Sequence, residues 1–307
     1  MMELSNSGMR EGTPERFRRT TIERRLADLA GRASENRIEG IGHIFDDPVV
    51  GIADGDDPIF ASYRETVSPG HRLPREWLGG AEAAAPVRVI AWILPFSDAV
   101  RASNRVTDWP SALYSLSRNN GAALDLAVSR ALAEDLTAAG HRAAIPILSE
   151  GYDVFRSPDR TFSSTWSQRH IAYAAGLGRF GLNHALITAR GICVRIGSLV
   201  TDAPLEVGPL RPPDHRAPCL SSGGEVCDQC RPRCPVEAIS GGGLDKTRCY
   251  DMRKAVRRRS LDAYARDLPL IPIPVTKSGR TRLHFSLGCA LCQCGVPCEA
   301  KDPFAEG

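Results

Sequence analysis

Cys227-Asp-Gln-Cys230-Arg-Pro-Arg-Cys234-Pro235 is the stretch that decides how this chain is organised. Its C-x2-C-x3-C-P spacing is that of the last three ligands in the bacterial ferredoxin run C-x2-C-x2-C-x3-C-P, whose fourth cysteine serves the other cluster of a pair. The first position of that run, three residues before Cys227, is Gly224. Cys219 replaces it from further upstream, across the flexible Ser221-Ser222-Gly223-Gly224. A second group follows, with Cys249, Cys289-x2-Cys292 and Cys298, and with Cys294 in addition. Crossed ligation then predicts one 4Fe-4S site on Cys219, Cys227, Cys230 and Cys298. A second is expected on Cys234, Cys249, Cys289 and Cys292. Cys193 and Cys294 are left over, Cys193 as a buried small residue in a strand and Cys294 as a spare ligand or reactive thiol.

Two other readings of the cysteines stay open. Paired C-x2-C motifs also hold structural zinc, although the gap between these two pairs is long for a zinc ribbon and zinc does not require x3-Cys-Pro. Ten cysteines is also an even number, as a disulfide scaffold would have. A chain of 307 residues, 42% hydrophobic, buries a core without such staples. Residues 1–16 hold no apolar leader, and the Arg18-Arg19 pair is followed by charged residues rather than an apolar stretch. The longest apolar run, Val87 to Phe96, is too short for a bilayer. A cytoplasmic chain with no membrane partner is therefore expected, where clustered thiols serve metals or redox chemistry.

The charge follows the cysteines. Residues 211–298 hold 15 Lys and Arg against 8 Asp and Glu, so the remainder of the +3 chain sums to −4. This excess offsets thiolates and an anionic cofactor, or attracts nucleic acid. The densest part, Arg253-Lys254 and Arg257-Arg258-Arg259, falls on a helix predicted after Cys249. It reads as a solvated face, or as a dock for an acidic electron donor or RNA phosphates.

The other half of the chain reads as α/β. Helices are predicted over 14–35, 121–139 and 166–175, and strands over 87–94, 143–148 and 192–200, from apolar periodicity and from Pro and Gly punctuation. The strand-helix-strand order predicts a partly parallel sheet. The domains expected are an N-terminal extension over 1–84 packing on the core, an α/β cofactor and substrate domain over 85–205, and a ferredoxin-like domain over 206–307. Gly176-Leu-Gly178-Arg-Phe-Gly181 matches a dinucleotide fingerprint in letters, with Asp202 where a ribose-binding acid would stand. The context is wrong, because a helix precedes it and a strand follows. The glycines instead predict a sharp turn that approaches another segment, or a flat cofactor, closely.

Gly176-Leu-Gly-Arg-Phe-Gly-Leu-Asn183, Ile196-Gly-Ser-Leu-Val-Thr-Asp202, the run Cys227 to Ile239 and Cys289-x2-Cys292 together resemble the epoxyqueuosine reductase family, related in its core to the reductive dehalogenases. The resemblance spans about residues 85–300. It implies an α/β domain that holds a cobalamin and a ferredoxin-like domain with two 4Fe-4S clusters. Electrons would pass from a ferredoxin or flavodoxin through the clusters to cobalt, and from there to the substrate. On this reading Gly176, Gly178, Gly181 and Asn183 lie against the corrinoid. The departures are specific: the family's proton-donating aspartate falls on Phe162, three residues from Asp159. Arg179 stands where an aromatic residue is usual, and Leu182 where a lysine is. The sequence stops nine residues after Cys298, without the helical repeats associated with tRNA binding.

The expectation is an iron-sulfur oxidoreductase acting through a corrinoid on a small or nucleoside-like substrate other than epoxyqueuosine-tRNA. The alternatives are an electron-transfer protein without a corrinoid, serving a partner enzyme, and a zinc-stabilised RNA-binding module. Tyr173, His170 and Asp159 are the candidate proton donors, with Tyr152 and His184 nearby in sequence. For each Tyr and His, a packed and hydrogen-bonded side chain is the alternative.

Overall fold

Strand β2 (Arg88–Pro95) is buried on both faces, and its alternating side chains divide the core in two. Ile90, Trp92 and Leu94 enter one apolar cluster, and Val89, Ala91 and Ile93 enter the other. In the computed structural model, which describes residues 15, 18–80, 85–156, 162–220, 227–264, 273–277 and 280–304, this strand sits inside a four-stranded sheet. The strands are β1 (Val49–Asp54), β2, β3 (Ala143–Ala144) and β4 (Val194–Thr201), in the order β1-β2-β4-β3. Helices α1 (Arg19–Arg32) and α4 (Ala112–Ala138) cover one face, through Leu26 and through Leu124, Val128, Leu132 and Leu136. Helix α2 (Ile59–Thr66) and helix α5 (Gln168–Ala174) cover the other with Phe60, Tyr63 and Ile171, joined by Trp166 just before α5. Helix α3 (Asp98–Arg105) follows β2. The fold is α/β, as predicted. No helix among the described residues is long and apolar enough to cross a membrane.

The sheet is not partly parallel. β2 and β3 do run in the same direction, as a strand-helix-strand unit requires, but β4 inserts between them and pairs antiparallel with both. The segment before residue 85 does more than pack on the core: β1 adds an antiparallel edge, from Val49↔Ile93 to Asp54↔Arg88. The second predicted strand is cut to two residues, because Pro146 lacks the N–H that would continue the ladder and opens a short 3-10 turn. Helix α4 begins nine residues before the predicted start. Ser111 caps it by accepting from Tyr114 N at 3.0 Å, and Gly121 lies inside the helix because a Cβ there would stand 2.3 Å from the Phe45 ring.

Asp202, the supposed ribose acid, has a structural task. Its carboxylate accepts from Arg142 N and Arg142 Nε, each at 2.8 Å, and so fastens the start of β3 to the end of β4.

One charge lies under the sheet. Asp125 of α4 is 1% exposed, accepts from Trp92 Nε1 at 3.1 Å and faces Arg195 at 3.5 Å. Gly197 is required opposite, since a Cβ would stand 1.9 Å from the carboxylate. Burial raises the Asp125 pKa from 3.8 to about 6, against the opposing pull of Arg195 and Trp92. The folded state therefore holds this proton more tightly than the unfolded chain. Its stabilising contribution, on the order of 3 kcal/mol, is complete below the unfolded value and is lost as pH rises through about 6. Asp125→Asn keeps an acceptor for Trp92 and removes the titration. The stability of the variant relative to wild type, from urea midpoints, should rise between pH 4 and 7; parallel profiles would contradict the assignment.

Candidate metal centre and its surroundings

Helix α5 ends where Leu177 N bonds to Ala172 O and Gly176 N to Tyr173 O, each at 2.9 Å, with Gly176 at φ +75°. The chain then forms a two-residue ladder, Arg179–Phe180 against Leu186–Ile187. The glycines of this turn face the protein itself. A Cβ on Gly176 would stand 2.3 Å from Pro209 O, and one on Gly178 would stand 2.2 Å from Ile187 O. On the side where a Cβ would stand, both glycines pack closely backbone on backbone. Gly181 and Asn183 belong to a different site. Asn183 accepts from Ala185 N at 3.1 Å and donates its amide to Cys292 O at 3.1 Å, which joins the turn to the cysteine loops.

That site is a small pocket lined by Cys219, Cys227, Cys230 and Cys298 together with Gly181, Asn183 and Ile187. Its walls come from distant parts of the chain. Cys298 is fixed to the entry of β4, since Ile192 N donates to Cys298 O at 2.8 Å. The neighbouring Glu299 is buried and accepts from Arg105 Nε at 2.8 Å and from Gly295 N at 2.7 Å, which sets the curve of the loop. Burial pushes the Cys298 thiol up to about 12 and Cys230 up to about 11, and the facing thiols, Cys219 first in each case, add to the rise. Four thiols from separate segments thus line one pocket.

A second set adjoins it. Cys249 stands on helix α6 (Lys246–Tyr264), Cys234 on the turn after Cys230, and Cys289 and Cys292 on the loop that leads to Cys298. Burial pushes the Cys289 thiol up to about 11, with Cys249 and Cys234 adding to it. Burial likewise raises Cys292, with Cys289, Cys249, Cys230 and Cys234 acting in the same direction. Cys292 is therefore the electrostatic link between the two sets. Among the described residues no three His, Cys, Asp or Glu side chains converge to hold a single metal ion. The first four thiols line one pocket.

The two remaining thiols meet each other. Cys193 and Cys294 are fully buried, with their Sγ atoms 3.5 Å apart, and Cys193 Sγ donates to Gln293 O at 3.1 Å. The pair fastens β4 to the loop between Cys292 and Cys298. It lies 101 residues apart in sequence, and no spacing rule would reveal it.

The candidate proton donors have other occupations. His170 shares a 2.8 Å bond with Ser167 Oγ, and its backbone O accepts from Tyr63 OH at 2.8 Å. Burial, reinforced by Arg169, pushes its pKa down to about 3, so at neutral pH it carries no extra proton to give. Tyr173 is buried and donates to Pro212 O at 2.7 Å. His184 packs on Gly243 in a left-handed backbone conformation. Tyr152 is half-buried, with Arg195 among its electrostatic neighbours. Asp159 lies outside the described residues. Residues that spacing did not single out surround the second set: Arg118 acts on Cys289 and Cys249, and Arg169 on Cys249. Each is isolated in sequence. Tyr173→Phe should cost about 1 kcal/mol of stability for the lost bond and leave any reductase turnover within twofold. A tenfold loss of turnover at that modest cost would restore Tyr173 as a proton donor.

No protein-family model and no curated protein matches the chain. Solved structures do. Selenomethionine-labelled epoxyqueuosine reductase superposes with a TM-score of 0.50 at 16% identity, over 92% of this chain and 66% of that one. A catabolic reductive dehalogenase in complex with 3-bromo-4-hydroxybenzoic acid gives 0.46 at 16% identity, over 93% of this chain and 37% of that one. The epoxyqueuosine reductase of Bacillus subtilis gives 0.39 at 18%, over 68% and 53%. The chain thus spans two thirds or less of the length of these proteins. It has the fold of epoxyqueuosine reductase.

Proposed function

We propose that the protein is an iron-sulfur oxidoreductase with two 4Fe-4S clusters, one on Cys219, Cys227, Cys230 and Cys298 and the other on Cys234, Cys249, Cys289 and Cys292. The observation that carries this reading is the cavity on which Cys219, Cys227, Cys230 and Cys298 open together, from separate loops, beside the second set of thiols. Each cluster, when bound, supplies one reversible electron. The chain's own residues then have definite tasks. The thiols anchor the iron as thiolates, and Arg118, Arg169 and Arg253 offset the negative charge around Cys249. Asn183 lines the first cavity and holds the Cys292 carbonyl of the second set, and so keeps the two in register for transfer between them.

A tandem pair of one-electron centres serves an acceptor, and the likeness to epoxyqueuosine reductase supports a reductase with a small or nucleoside-like substrate. A ferredoxin or flavodoxin fits as the donor. Of the four residues assigned to a corrinoid, Gly176 and Gly178 do not fit it on their Cβ sides, which Pro209 and Ile187 close. The second reading, an electron-transfer protein serving a partner enzyme, needs no acceptor pocket of its own.

Anaerobic reconstitution followed by iron, sulfide and zinc analysis tests the proposal. About eight iron atoms per chain are expected, falling to about four in Cys227→Ser. Stoichiometric zinc without iron would overturn it, and complete iron loading of Cys227→Ser would overturn the ligand sets.

A further inference from the structure

Helix α6 carries seven Lys and Arg against two Asp between Lys246 and Tyr264. Its inward stripe is Met252, Val256 and Ser260, spaced four apart, so Arg253, Lys254, Arg257, Arg258 and Arg259 all stay exposed. Lys254 is matched by Asp251 at 2.6 Å. Arg257 and Arg258 have no carboxylate within ion-pair distance among the described residues. The Arg259 guanidinium lies over the Trp109 ring at 4.6 Å, and Trp109, Arg258, Arg259 and Asp262 line one open groove.

Both sides of this groove are tied to the second set of thiols. Cys249 stands in the first turn of α6 itself. Trp109 belongs to the short segment after α3, and at its root the buried Asn104 donates to Cys289 O at 3.4 Å. Arg233, next to Cys234, donates to Asn104 O at 2.7 Å and to Cys294 O at 3.1 Å. Val106 of the same segment is apolar and yet 89% exposed. An exposed apolar side chain and an indole beside unpaired arginines compose a protein interface rather than a phosphate-binding face. Two details agree. A nucleic-acid backbone would meet the Asp262 carboxylate in the groove, and a base would find the Trp109 face already taken by Arg259.

We propose that this face, formed by Arg257, Arg258, Trp109 and Val106, docks an acidic flavodoxin. The carboxylates around a flavodoxin's exposed flavin edge meet the two arginines, and the apolar edge itself meets Val106 and Trp109. One electron leaves the flavodoxin and passes to the centre on Cys234, Cys249, Cys289 and Cys292, with no bond made or broken. The role of the partner as electron donor rests on the redox reading above; the docking itself does not.

Biolayer interferometry of the iron-loaded full chain with purified flavodoxin tests this. Binding at low salt is expected, weakening about tenfold between about 50 and about 300 mM salt. The double variant Arg257→Glu and Arg258→Glu should weaken it about tenfold or more, mainly through slower association. Trp109→Ala should weaken it about fivefold, mainly through faster dissociation. Arg130→Glu, exposed on α4, should bind as wild type does, with circular dichroism confirming that each variant is folded. Equal affinity in wild type and the double variant would overturn the proposal, as would the absence of binding at low salt. Tighter binding of a short single-stranded RNA than of flavodoxin, lost in the same variants, would also overturn it and make the face a nucleic-acid site. A chain that binds flavodoxin through these residues but takes up no iron would refute the redox reading and leave the docking face standing. Full iron loading without flavodoxin binding would do the reverse.

Discussion

The ladder between β2 and β4 is the constraint on which everything else rests. It pairs Arg88–Pro95 with Val194–Thr201 along its whole length and is buried on both faces, so its register cannot slip without moving every core side chain to the wrong side. Its near end reaches the thiols. Phe96 N donates to Cys193 O at 3.0 Å, Ile192 N to Cys298 O at 2.8 Å, and Gly191 lies so close to Glu299 O that a Cβ would stand 2.3 Å from it. The sheet thus acts as the reference frame for loops that have little regular structure of their own.

Charge is handled differently on the two sides of that frame. Near Cys298 it is neutralised within the protein, where buried Glu299 meets Arg101 at 3.5 Å and Arg105 at 2.8 Å. Around Cys249 the arrangement is looser: Arg248 and Lys254 pair with Asp245 and Asp251, while Arg118, Arg169 and Arg253 have no carboxylate within ion-pair distance among the described residues. A buried ion pair is a weak source of stability and a strong source of geometry. The Glu299 group accordingly reads as positioning for the loop, and the arginines near Cys249 as partners of the thiolates themselves.

What the sequence reveals depends on the range of the interaction. The grouping of Cys219, Cys227, Cys230 and Cys298 on one pocket was legible because short spacings announce it, and Cys227 to Pro235 carries three cysteines in nine residues. The glycine turn was legible as a close approach but not in what it approaches: Gly176 meets Pro209, more than thirty residues further on, and a missing Cβ looks the same whether it faces a ligand or backbone. The sheet was misread for a related reason. Alternation identifies a buried strand, but nothing in residues 87–148 announces that a strand from residue 194 onward will insert between its neighbours. Arg118 and Arg169 gave no signal, being single cations that only the fold brings near Cys249, while the visible cluster Arg253 to Arg259 divides, with Arg253 beside Cys249 and Arg259 stacked 4.6 Å from the Trp109 ring.

The two sets of thiols are interlaced along the chain. Cys230 and Cys234 sit on one turn but belong to different sets, and so do Cys292 and Cys298 on one loop. No single cut of the polypeptide separates one set from the other. The region therefore behaves as one piece of protein architecture, which no single break in the chain can halve into two modules that each keep a full set.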